Sequence, residues 1–92
     1  MNHKSVEERL YWAVRLSDFY AAKAALKAGA SVKYRRFDGT SLVEHASLNG
    51  DYELILLLVR HGANEEDIIW DAFTARDIVK WMDMKKKSLG TF

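Results

Sequence analysis

The residues of this sequence that could do chemistry are few. The three histidines, His3, His45 and His61, are widely separated, and none has a second histidine or a paired carboxylate at the spacing a metal site needs. His61 precedes Gly62-Ala63 at an expected helix end, where a partly positive imidazole is favourable, and His45 is expected to be packed or hydrogen-bonded. Serines 5, 17, 31, 41, 47 and 88 form no nucleophile elbow, and no glycine-rich loop is present to cradle phosphate. The sequence has no cysteine, so thiol catalysis, thiolate metal sites and disulfides are excluded. No catalytic, cofactor-binding or metal-binding residue is expected, and enzyme is the weakest class.

The chemistry that remains is that of contact. Lys33-Tyr34-Arg35-Arg36-Phe37 interleaves basic and aromatic residues. Such a stretch can pair phosphates and stack bases, serve an acidic protein partner with the residue types of interface hot spots, or be a solvated loop. Of these the protein partner is preferred. Further on the sign reverses, with Glu65, Glu66, Asp67 and Asp71 around Ile68, Ile69 and Trp70. That patch can imitate nucleic acid or meet a basic groove, or its isoleucines can pack inward. Lys85 to Lys87 read as a solvated tail that could also touch phosphate.

Charge is segregated along the chain. Residues 1–36 hold eight Lys or Arg against three acids (+5), residues 37–83 three against ten (−7), and the last nine add three lysines, giving +1. Opposite-signed faces can steer and orient a partner at almost zero net charge, or they can simply be a solvated surface.

The elements that must position these residues belong to one small domain: 92 residues, 49% apolar and 29% charged. A chain of this size buries only roughly 60–65% of its unfolded surface. The longest apolar run, Leu54 to Val59, is six residues, far below the roughly 18 of a membrane span. The first residues lack the hydrophobic stretch of a signal peptide. A soluble, cytoplasmic chain without a membrane partner is expected.

A 33-residue repeat organises it. At that offset Ala13 meets Ala46, Asp18 meets Asp51, Gly29-Ala30 meets Gly62-Ala63, and Asp38 meets Asp71; Leu10 with Val43, Phe19 with Tyr52, Leu26 with Val59, Lys27 with Arg60, Phe37 with Trp70 and Ser41 with Thr74 are similar pairs. Val6, Leu10, Ala13 and Val14 form a helical stripe over 6–16. Asp18 caps a helix over roughly 19–28 that ends at Gly29, and Asp38-Gly39 signals a turn. Ser41 with Glu44 three residues on has the spacing of a capping box. That helix stops at Asn49-Gly50, and Asp51 caps the next, from Tyr52 to His61. Residues 64–73 are irregular, and Thr74 opens a last helix reaching Met84. No strand alternation appears.

The segment from Gly39-Thr40-Ser41-Leu42-Val43-Glu44-His45-Ala46 through Asn49-Gly50-Asp51 to Val59-Arg60-His61-Gly62-Ala63-Asn64 closely resembles one ankyrin repeat. Residues 10–38 resemble a preceding repeat, and 70–84 the first half of a following one. The resemblance implies an all-α, ankyrin-type stack of helix-turn-helix repeats with projecting finger loops. It forms one domain over 1–92, with repeats over roughly 6–38 and 39–71, a partial one over 72–84 and a tail over 85–92. Where the family has Thr-Pro-Leu-His this chain has Ser41-Leu42-Val43-Glu44, so the helix-opening proline and the loop-tying histidine are absent. Ser17 replaces an inter-helix glycine, and Ala72 replaces a turn glycine, which puts the third hairpin in doubt because alanine resists positive φ.

In that register Val43, Ala46, Leu54, Ile55, Leu58 and Val59 are core, Ala21, Ala22 and Ala25 form a thinner first-unit core, and Leu56 faces outward. Trp81, Met82, Leu89 and Phe92 either seal the C-terminal end or offer a sticky surface to a second copy, so the chain is a monomer or a homodimer through that end. The resemblance implies protein binding through fingers and concave face, without catalysis or cofactor. Phe37 and Trp70 fall at equivalent finger positions, as a structural rib or as the centre of a binding surface, the latter preferred. Arg15, Leu48, Asn49 and Trp81 line the same side. The expected protein-binding residues are Tyr34, Arg35, Arg36, Phe37, Leu48, Asn49, Trp70 and Phe73, acting as an inhibitor or small adaptor that occupies or masks a partner, acidic or charge-segregated. The alternative is a nucleic-acid-associated protein using finger 33–37 and the lysine tail.

Overall fold

The computed structural model describes residues 5–36 and 38–88. They form five α-helices: α1 (Val6–Arg15), α2 (Phe19–Lys27), α3 (Leu42–Leu48), α4 (Tyr52–Arg60) and α5 (Ala75–Ser88), with two single 3-10 turns, Glu65–Asp67 and Trp70–Ala72, between α4 and α5. No strand occurs among the described residues; one isolated antiparallel bridge joins Arg35 to Ser41 at the base of the first finger.

Each helix begins where a side chain can accept an otherwise orphaned N–H. Ser5 Oγ accepts from the Glu8 amide, Asp18 Oδ1 from Ala21 and Asp51 Oδ1 from Leu54, each at 3.1 Å. Ser41 and Glu44 close the expected capping box, Oγ accepting from the Glu44 amide at 3.2 Å and Oε1 from the Ser41 amide at 2.7 Å. Thr74 and Asp77 repeat that reciprocal arrangement before α5, both bonds being 3.2 Å.

The 33-residue repeat recurs in the backbone. Asp18 N–H donates to Ala13 C=O and Asp51 N–H to Ala46 C=O; Ala30 N–H donates to Ala25 C=O and Ala63 N–H to Leu58 C=O. The two inter-helix turns also correspond, Ser17 at φ 55° and Gly50 at φ 69°. Ser17 therefore holds a left-handed conformation that costs a side chain roughly 1 kcal/mol. The third hairpin differs as the missing glycine implies: the segment around Ala72 is a 3-10 turn, and Ala72 does not adopt positive φ.

The helices stack as pairs, α1 with α2 and α3 with α4, α1 against α3 and α2 against α4, and α5 closes onto α4. Leu10, Val14, Leu42, Val43, Leu54, Ile55 and Leu58 are fully buried between them, with Ala22 and Ala46 allowing close approach. Val59 is only partly buried and Ala21 is exposed, so neither contributes to the core as fully as the register implies.

Three expectations are corrected. Leu56, expected outward, is 5% exposed. Its counterpart 33 residues earlier, Lys23, is exposed. Leu56, however, shares a groove of about 370 Å³ with Phe19 and Tyr20 of α2 and Met84 of α5. The last helix also runs on to Ser88, so Lys85 to Lys87 lie on a helix and not in a tail. Finally, Trp81 does not line an open face: it is buried, its ring centre 6.1 Å from that of Trp70. Met82 is exposed, whereas Leu89 and Phe92 lie outside the described residues.

Candidate protein-interaction surface

Two side-chain clusters gather aromatic residues, the first of them together with two arginines. The first is built on α1 and the first finger. Tyr11 is buried and Trp12 is 40% exposed, and their rings meet edge to face at 5.2 Å. The Arg36 guanidinium lies 4.6 Å from the centre of the Tyr11 ring and 5.9 Å from that of Trp12. Arg15 lies 5.7 and 5.9 Å from the same two rings and donates to the Tyr11 hydroxyl at 2.7 Å. Cations over aromatic faces at these distances are held electrostatically, which restricts two otherwise flexible side chains. Arg36 also comes within 3.9 Å of a Glu8 carboxylate oxygen.

The second cluster belongs to the second finger and α5. Trp70 is half-buried, 5.8 Å from Phe73 and 6.1 Å from Trp81. Ile68 is buried in the core, and the fully buried Ser47 hydroxyl donates to the Val43 carbonyl at 2.8 Å while accepting the Ile69 amide at 3.1 Å. Trp70 thus has core behind it. Arg35 ties the fingers together: it donates to the Gly39 carbonyl and pairs with Asp67 at 3.3 Å.

The sequence-selected residues consequently separate. Arg36 joins the α1 cluster, Trp70 and Phe73 join the second, and Arg35 bridges the loops. Tyr34 is half-buried against the core. Leu48 is 63% exposed. The Asn49 amide is committed inward, donating to the Val14 and Arg15 carbonyls and to Ser17 Oγ at 3.1–3.2 Å, which satisfies the end of α1 from the next helix pair. Phe37 lies outside the described residues, as do the side chains of Lys85 and Lys87. Tyr11 and Trp12 were not selected from sequence. Trp12 nevertheless carried a legible signal, a large aromatic standing off the Val6-Leu10-Ala13-Val14 stripe of its helix.

His45 sits between the helix pairs, its ring 5.4 Å from and perpendicular to that of Tyr11, with Nε2 buried and without a hydrogen-bond partner. Burial, reinforced by Arg15, holds its pKa below the ordinary 6.5, against the opposite pull of Asp38 and Glu44. The folded chain favours neutral imidazole, so the stability His45 contributes is present above the unfolded-state value and is lost as pH falls from there through the lower folded-state value. Urea unfolding followed on both sides of pH 6.5 should give a lower midpoint on the acid side, and His45→Gln should reduce the drop. An identical pH response in that variant would remove His45 as its source.

Among the described residues no group of three or more His, Cys, Asp or Glu is placed to hold a metal ion, and no helix is long and apolar enough to cross a membrane. Human ankyrin repeat and SOCS box protein 14 is 46% identical to this chain over 55 residues, 60% of the chain but only 9% of that protein. No protein-family model matches the chain, and no solved structure matches it. The paired helices and the partial identity together fit a degenerate ankyrin-repeat stack.

Proposed function

We propose that this degenerate ankyrin-repeat stack is a non-catalytic protein-interaction module that acts as an inhibitor or small adaptor, by occupying or masking a partner. The observation that carries this reading is the exposed Trp12 held with Arg15 and Arg36 on one face of α1. Leu48 stands exposed next to Asn49, whose amide reaches the Arg15 carbonyl. Trp and Arg are the residue types most often found at the energetic centre of interfaces, and here a packed helical scaffold fixes both. The similarity to an ankyrin repeat protein supports the same class, since repeat stacks present side chains for contact on a rigid frame.

Affinity capture from the native host, with nuclease present, tests it. The wild-type chain should retain a protein that a Trp12→Ala, Leu48→Glu double variant loses, while both proteins keep the same circular dichroism. Equal capture by both would place the interaction elsewhere on the molecule. Material that disappears with nuclease would transfer the reading to nucleic acid.

A further inference from the structure

We infer that the outer face of the first helix pair is a self-association surface: a second copy of this chain docks there by two-fold symmetry, its α1 lying against α2. The inference goes beyond the interaction reading above, since it needs neither Leu48 nor the finger loops. A groove of about 430 Å³ runs between α1 and α2. Trp12 and Leu16, 40% and 73% exposed, stand with Arg9 along its α1 side, and the exposed Ala21, Ala24 and Ala28 line its α2 side.

The 33-residue offset identifies what kind of face this is. One repeat later, Trp12 and Leu16 correspond to His45 and Asn49, which pack against the first unit. The His45 ring lies 5.4 Å from that of Tyr11, and the Asn49 amide donates to the Val14 and Arg15 carbonyls. Ala21 and Ala24 correspond to Leu54 and Leu57, which are 0% and 4% exposed. The groove is therefore the first unit's version of the face by which the second unit stacks, in register with an interface the molecule already forms between α1 and α3 and between α2 and α4. Terminal repeats ordinarily carry a polar outer face; here a tryptophan edge and a leucine are left on it.

Shape selects the occupant. Bulky side chains form a ridge on α1, and alanines form a shallow channel on α2. A two-fold axis running along the helices sets the ridge of each copy in the channel of the other, the self-complementarity of an isologous interface. Arg9 then comes level with the carbonyl end of the second copy's α2, the negative end of a helix. The opposite end of the molecule does not match, because α5 exposes Val79 and Met82 on a single helix, with no second helix to complete a channel. Helices of 10 and 9 residues give a face only roughly 15 Å long. Covering it on both copies buries less than about 1,200 Å², the range of weak interfaces, so pairing depends on concentration.

Sedimentation equilibrium tests this with the 92-residue chain. From about 10 µM to about 1 mM, a span suited to micromolar affinity, the mass should rise from one chain toward two. Ala21→Glu and Leu16→Lys each set a charge against an apolar position of the second copy and should weaken pairing at least roughly tenfold. Both suit their own helices, an acid in the first turn of α2 and a cation at the end of α1, so circular dichroism should stay unchanged. Mixed together, the two variants should pair again. Only the mixed dimer sets the new carboxylate against the new ammonium while its other contact stays wild type, a recovery that misfolding cannot produce. Met82→Glu, at the opposite end, should pair like the wild type. A wild-type chain that stays monomeric throughout, a mixture that does not re-pair, or pairing abolished by Met82→Glu overturns the inference. A monomeric wild type that still captures a protein lost with Trp12→Ala, Leu48→Glu would sink only the self-association and leave the interaction surface standing.

Discussion

Trp81→Ala will destabilise the chain by about 3–5 kcal/mol, the range for truncating a buried aromatic to alanine. Trp81 is 3% exposed on α5 and packs toward Trp70, which in turn meets Phe73. Its removal opens a void under the second finger and withdraws a residue that joins the last helix to the core. Small domains have only about 5–15 kcal/mol of total stability, so the loss is a large share of the whole. Chemical unfolding monitored by far-UV circular dichroism should show a markedly lower midpoint. Hydrogen exchange should accelerate first in α5 and at the Ile69 amide, which Ser47 holds at 3.1 Å. Met82→Ala is the control: the neighbouring side chain is 61% exposed, and surface changes usually fall within about 0.5 kcal/mol. Comparable losses from both variants would mean that Trp81 does not seal the end of the stack.

The contrast between these neighbours shows which features were legible in the sequence. Asp18, Asp51 and the Ser41-Glu44 box act on amides three residues away, so local spacing predicts both the helix starts and their caps. The 33-residue offset predicts the recurring turns and the central core, because equivalent positions in stacked repeats meet equivalent neighbours. Contacts between repeats are less legible. Asn49 looks like a surface residue at a helix end, yet its amide satisfies carbonyls 34 and 35 residues earlier. Arg35 looks like a free finger cation, yet Asp67 engages it from the next loop. The α1 cluster depends on Arg36 folding back over Tyr11 and Trp12, a long-range return that no local spacing encodes.

Leu56→Asp will cost roughly 4 kcal/mol, the scale of placing an unpaired charge in an apolar site, although the repeat register alone makes the position appear tolerant. The same position in the first unit, Lys23, is exposed and charged. The second unit differs because α5 packs onto α4 and brings Met84 to the groove that Leu56 shares with Phe19, Tyr20 and Leu57. With Leu56 5% exposed, a carboxylate there would lose hydration, and among the described residues no cation is buried alongside to compensate. Arg60 at the rim of the groove is exposed and, as a solvated cation, would recover only a fraction of that cost. Lys23→Asp should change stability by no more than about 0.5 kcal/mol, which isolates the effect of burial from that of charge. Urea unfolding of the two variants gives the comparison directly. If Leu56→Asp proves as mild as Lys23→Asp, the end of α5 does not cover α4, and the second unit is as open on that side as the first.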